Sequence, residues 1–223
     1  EVKDQQAHMD NLLERSVRVG SADEAAATIN QAFARWRVER PRPVHLEIPL
    51  DVLEGEWAGA DGFELPEVAA PQPSEQAVTE AVRLLRAAVT PVVVLGGGTR
   101  HAGAETRRLV ELLDAPVVTT VNGKGVIPES HPLSLGASIR FEPAQRLVAE
   151  ADTALLVGTE MGDSDLWGGV IRASGAVIRV DIDARQLHKN IPATVGVHGD
   201  AATVVALLAE ALESDRTGSR VDG

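Results

Sequence analysis

From Ser74 onward, short apolar runs alternate with helical patterns, and this alternation constrains the fold more than any other feature of the chain. The runs are Pro91–Leu95, Ala115–Thr119, Ala154–Gly158, Ala176–Val180 and Thr194–Val197. Each is too short for a buried helix, and most are apolar throughout rather than every second residue. Such segments read as strands covered on both faces. Between them, Ser74 can cap a helix with Val78, Ala81, Val82, Leu85 and Ala88 on one face. A second helix is expected over 103–113, and Pro143 opens a short one that ends near Ala151. Asp200 caps a last helix carrying Val204, Val205, Leu208 and Leu212. Strand–helix–strand order with doubly covered strands predicts an α/β fold with a doubly wound parallel sheet over 74–212.

The preceding residues have a different character. Ser21-Ala22-Asp23-Glu24 is a capping box, and Ala26, Ile29, Phe33 and Trp36 follow at helical spacing, which predicts a helix over about 22–38. Between Pro43 and Pro49, Val44, Leu46 and Ile48 alternate with His45 and Glu47, as in a strand. Residues 53–73 hold Gly55, Gly59, Gly62, Pro66, Pro71 and Pro73 among acidic residues with little periodicity, and read as a linker. After Glu213 the chain turns polar, as in a disordered tail or linker. The expected organisation is a partial α/β unit over 1–52, a linker over 53–73, the sheet domain over 74–212 and a tail over 213–223.

Composition narrows the partners. Among 223 residues, 21 Lys and Arg stand against 33 Asp and Glu, a net charge of −12. That balance argues against nucleic acid and anionic membranes. There is no cysteine, so disulfides and thiolate chemistry are excluded. No apolar run approaches the roughly 18–20 residues of a membrane span. The chain opens Glu1-Val2-Lys3-Asp4, with no signal-like segment, and is read as a cytoplasmic, truncated chain.

In open parallel sheets, ligands bind beyond the carboxyl ends of strands. Here those ends carry Gly96, Gly97 and Gly98; Asn122, Gly123 and Lys124; Gly158; and Asp181 and Asp183. The triple glycine allows either a nucleotide-facing turn or a plain tight turn. His101 stands where the dinucleotide fingerprint needs a third glycine, and Ala104-Glu105 replace the Lys-Ser/Thr of a phosphate loop. Asn122-Gly123-Lys124-Gly125 can hold an anion or be a solvated loop. Asp181-Ile182-Asp183 resembles the strand-end pair of magnesium phosphotransferases, but Ala184 and its late strand position fit ribose binding or helix capping better. Gly162-Asp163-Ser164 lacks a His–Asp partner arrangement, and the six histidines have no metal-ligand spacing. The residues alone give an α/β domain with a candidate nucleotide cleft and no catalytic constellation.

Two blocks taken together resemble a known family. Arg40-Pro-Arg-Pro-Val-His-Leu-Glu-Ile-Pro-Leu-Asp51-Val is similar to the end of the pyrimidine-binding domain of thiamine diphosphate enzymes of the acetolactate synthase type. The series Pro91–Gly98, Ala115–Thr120, Asn122–Gly125, Pro128–Pro132, Leu135-Gly136, Leu156–Gly158 and Val180–Asp183 is similar to that family's central domain in order and spacing. The likeness covers about residues 15–212.

The resemblance implies a six-stranded, Rossmann-like central domain preceded by the end of the pyrimidine-binding domain. For the parent enzyme it implies decarboxylation of a 2-oxo acid, with thiamine diphosphate and Mg²⁺ held outside this chain, and a homodimer or homotetramer. The family's catalytic Glu and its Gly-Asp-Gly…Asn block have no match here; Gly199-Asp200-Ala201 departs from the latter. The chain is therefore expected to be a non-catalytic region. The central cleft holds FAD in acetolactate synthases and ADP in some relatives, which points to Gly96, Gly97, Gly98, Asn122, Gly123, Lys124, Gly158, Asp181 and Asp183. Thr159-Glu160-Met161-Gly162-Asp163 replaces the synthases' flavin-contacting segment and resembles non-flavin decarboxylases, such as those acting on 5-guanidino-2-oxopentanoate. A self-contained nucleotide-binding module, for NAD or another nucleotide, is the alternative.

Overall fold

The computed structural model describes residues 3–59 and 63–218. The chain divides into two compact units, Glu1–Ala70 and Pro71–Gly223. Gly62 of the expected linker lies outside the described residues, as do residues 219–223 of the expected tail.

The first unit runs α1 (Gln5–Asp10), β1 (Arg15–Arg18), α2 (Ala22–Trp36), β2 (Val44–Glu47) and α3 (Leu50–Leu53). β1 and β2 pair in parallel, Arg15 opposite Val44 and Arg18 opposite Glu47. Ser21 caps α2 as its sequence demands: the Oγ accepts from Glu24 N–H at 3.1 Å, and the Glu24 carboxylate accepts from Gly20 N–H at 2.8 Å. The helix stops at Trp36, short of the expected 38, where Val38 and Glu39 N–H both turn back to the Arg35 carbonyl.

The second unit runs α4 (Glu75–Ala87), β3 (Pro91–Leu95), α5 (Gly103–Leu113), β4 (Val117–Thr119), α6 (Glu142–Glu150), β5 (Thr153–Val157), α7 (Asp163–Leu166), β6 (Ala176–Asp181), β7 (Val195–His198) and α8 (Ala201–Gly218). The strands form a parallel sheet in the order β4-β3-β5-β6-β7. Val93 and Leu95 pack into a core with α4, α5 and α8, while Val92 and Val94 pack into a second core with α6. Successive strand residues point to opposite faces, and both faces are covered, so the run must be apolar at every position. The polar residues after Glu213 continue α8 to Gly218 rather than leaving the helix at Leu212.

The implied six strands are five among the described residues. The sixth position is held by a short segment beside β4. Val117 N–H bonds the Leu133 carbonyl, Leu135 N–H bonds the Val117 carbonyl, and Thr119 N–H bonds the Gly136 carbonyl. Gly136, at φ +65°, then bends the chain away, so the pairing stays an isolated bridge at Ser134.

Candidate functional site at the carboxyl edge of the sheet

β3 and β5 are neighbours whose chains leave the sheet toward opposite faces. β3 passes through a 3₁₀ turn, Gly97–Thr99, into α5, which packs on one core. β5 leads to Met161 and Leu166, which lie in the other. This divergence is the switch point at which open parallel sheets form a ligand crevice.

The glycines there serve close backbone approach. Gly96 N–H donates to the Val157 carbonyl at 2.9 Å, and Gly98 N–H to the Gly158 carbonyl at 3.0 Å. A Cβ on Gly98 would stand 2.8 Å from the Gly158 Cα, and one on Gly96 would collide with the Gly158 carbonyl. A Cβ on Gly97 would meet that of Asn122 at 3.1 Å, and one on Gly123 would collide with the Leu95 carbonyl. The loops after β3, β4 and β5 therefore interlock through their main chains. Lys124 stands apart, exposed, with Nζ 3.3 Å from Glu129 Oε1.

Asp181 and Asp183 are buried at the end of β6, 2% and 3% exposed. Asp181 Oδ1 accepts from Asp183 N–H at 3.0 Å. Asp183 Oδ1 accepts from Arg185 N–H and Nε, and Oδ2 from Arg185 Nη2 at 2.8 Å. The pair thus caps a turn and anchors an arginine. Nine sequence-selected residues share this edge, but the two carboxylates face their own turn while the glycines face one another.

Further groups at this edge escaped the sequence reading. Arg179 is buried in β6 and donates to the carbonyls of Thr159, Lys189 and Ile191, tying two edge loops to the strand. An arginine inside an otherwise apolar run was the available signal. Thr119 Oγ1, Ser138 Oγ and Gln186 Oε1 are buried without a hydrogen-bond partner among the described residues. Thr119 ends β4, Ser138 follows the bridge segment and Gln186 follows β6. Burial of this kind has no sequence signature.

Residues 78–208 match the family model for the central domain of thiamine pyrophosphate enzymes. The chain belongs to this family. It is 38% identical over 230 residues to a protein of Pseudomonas aeruginosa described as a probable 2-ketoarginine decarboxylase, covering 99% of this chain and 41% of that protein. It is 32% identical over 215 residues to a probable acetolactate synthase large subunit of Methanocaldococcus jannaschii, covering 90% and 36%. Among solved structures, the thiamine diphosphate-dependent 4-hydroxybenzoylformate decarboxylase of Rhodococcus jostii RHA1 matches with a TM-score of 0.76 at 22% identity, over 94% of this chain and 41% of that one. The chain thus spans about two fifths of the length of the family members it matches, and it carries their central domain.

The residues present do not fit the family's thiamine diphosphate and metal group. Among the described residues, no three His, Asp or Glu side chains converge to hold a metal ion. Asp200, the nearest counterpart to the missing Gly-Asp-Gly motif, uses Oδ1 to accept from Thr203 N–H at 3.0 Å at the start of α8.

Proposed function

We propose that this chain is the supporting central region of a thiamine diphosphate-dependent 2-oxo acid decarboxylase or acetolactate synthase-like enzyme, and that its carboxyl-edge crevice holds an adenine nucleotide, ADP or FAD. The reaction, the Mg²⁺–thiamine diphosphate site and the subunit contacts that make a dimer or tetramer belong to the longer enzyme. The likeness to the Pseudomonas protein over 99% of the chain supports a 2-oxo acid with a guanidinium end as the parent enzyme's substrate.

The observation that carries the nucleotide reading is the set of unpartnered oxygens on Thr119, Ser138 and Gln186. A buried polar atom left unpaired costs about 1–3 kcal/mol, and native chains leave few of them. Among the described residues of this unit, one other such oxygen, on Asp152, lies away from the edge. Ribose hydroxyls and phosphate-bound water supply the donors and acceptors these atoms need. The interlocked glycines give the crevice a rigid floor. NAD is the less favoured ligand, because Asp181 and Asp183 are committed to their own turn rather than offered to a ribose.

The test is thermal unfolding of the chain with ADP, FAD, NAD and Mg²⁺–thiamine diphosphate in parallel. Ligand at 100 times Kd stabilises the folded state by about 2.7 kcal/mol. The expected result is a rise in Tm with ADP or FAD, none with Mg²⁺–thiamine diphosphate, and no decarboxylation of 5-guanidino-2-oxopentanoate. Turnover by the chain alone would refute the supporting role, and no shift with ADP or FAD would refute the nucleotide site.

A further inference from the structure

Among the described residues, four that are not glycine have left-handed backbone: Asp114, Met161, Trp167 and Asn190. Asp and Asn tolerate that conformation through short-range hydrogen bonding. Met161 is fully buried, so packing holds it there. Trp167 has neither reason. It is 75% exposed, at φ +52°, at the end of α7, where the chain wants glycine. A bulky side chain with positive φ is an outlier that functional sites tend to hold.

Arg140 lies over its ring, the guanidinium carbon 5.1 Å from the ring centroid. Phe141, next in sequence, and Val170 are also largely exposed. The two segments are fastened together behind this pair: Gln145 Nε2 on α6 donates to the Leu166 carbonyl at 2.9 Å. Arg140 lies just before α6, so it sits beside a helix start that favours anions. Both segments belong to the carboxyl edge. Trp167 follows the β5 loop that carries Gly158, and Arg140 follows Ser138, one of the residues with an unpartnered buried oxygen.

We propose that Trp167 and Arg140 form the outer wall of the crevice and recognise the nucleotide's ring and phosphates. Trp167 stacks on the planar ring with the face that Arg140 leaves open, and Arg140 pairs with the phosphate oxygens. A flat aromatic group carrying negative charge is the ligand chemistry that uses both members at once. This deepens the nucleotide reading above and rests on it.

The test measures binding of ADP and FAD to the 223-residue chain by calorimetry, for the wild type, Trp167→Gly and Arg140→Gln. Trp167→Gly relieves the left-handed backbone, so its Tm is expected to stay at or above the wild-type value, and weaker binding cannot then be laid to unfolding. Loss of one ring–aromatic stack raises Kd about tenfold, and a similar rise is expected for Arg140→Gln. Wild-type binding that both variants retain unchanged would overturn this assignment and leave the nucleotide site standing. Absence of wild-type binding would overturn both. Self-association of the wild type that Trp167→Gly abolishes, with nucleotide affinity unaltered, would make the pair an interface between copies and overturn the proposal.

Discussion

β5 of the second unit is buried at all five of its residues, whereas β2 of the first unit is half-buried at all four. The two strands have similar local surroundings. Each belongs to a parallel pair, and each unit has a helix capped by serine, Ser21 on α2 and Ser74 on α4. What differs is the width of the sheet. β5 has a strand on either side and a core on either face, while among the described residues β2 pairs with β1 alone. The first unit accordingly leaves Phe33, Ile48, Leu50 and Leu53 exposed. Local sequence signals therefore suffice to make the elements of both units, but the number of neighbouring strands decides how much apolar surface leaves water. Burial contributes roughly 25 cal/mol per Å², so the same leucine is worth different amounts in the two places.

The largest expected effect tests that difference directly. Leu155→Ala, in β5, opens a cavity in a closed core and is expected to cost about 3–4 kcal/mol. Leu46→Ala, in β2, removes a side chain already in partial contact with water and is expected to cost about 1 kcal/mol. Guanidinium unfolding of the two variants measures both. Equal losses would mean that β2 is as enclosed in solution as β5 is.

The glycines extend the comparison. Gly96→Ala puts a methyl against the Gly158 carbonyl, which cannot yield without parting β3 from β5, so a loss of about 2–3 kcal/mol is expected. In the first unit, a methyl on Gly20 would meet only the Glu24 carboxylate at 3.7 Å, an ordinary contact. Gly20→Ala is expected to stay within about 0.5 kcal/mol of the wild type. Thermal unfolding of both variants distinguishes glycines needed for close packing from those that are not.

What was legible in the sequence follows the same division. The five apolar runs declare themselves because strands covered on both faces admit few polar residues. β1 escaped notice because Arg15-Ser16-Val17-Arg18 offers a single apolar residue, as a narrow sheet allows. The sixth strand came from the family resemblance and not from an apolar run, and Gly136 limits the segment beside β4 to an isolated bridge. The glycines that interlock were visible as motifs, since backbone approach leaves a residue-type signature. The unpartnered oxygens of Thr119, Ser138 and Gln186 were not, because each depends on what several distant segments bring near it. Trp167 carried a faint signal in the Gly168-Gly169 that follows, which marks a turn without revealing the tryptophan's backbone.

Capping is the interaction expected to ignore sheet width. Ser21 Oγ accepts from Glu24 N–H at 3.1 Å and Ser74 Oγ from Ala77 N–H at 3.2 Å, both near the surface. Ser21→Ala and Ser74→Ala are each expected to cost about 1 kcal/mol. Equal values in the two units would place the whole difference between them in burial. A much smaller value for Ser21→Ala would mean that α2 frays independently of its cap.

The smallest effect belongs to the second unit and depends on pH. Asp152 precedes β5, and its Oδ2 accepts from Val89 N–H at 2.6 Å and Thr90 N–H at 3.0 Å, tying the start of β3 to the start of β5. Desolvation pushes its pKa up, but the backbone hydrogen bonds from Thr90, Val89 and Thr153 outweigh it, and the folded-state value lies below the ordinary one. A carboxylate depressed on folding stabilises the chain above its unfolded pKa of about 3.9 and loses that contribution as pH falls through the folded value. The group is partly open to water, so the contribution is expected to be only about 0.5–1 kcal/mol. Asp152→Asn keeps an acceptor oxygen but removes the charge. Relative to this variant, the wild type is expected to be more stable at pH 6, with the gap closing below pH 4. A gap that persists unchanged at pH 3 would show that the carboxylate's charge is not its source.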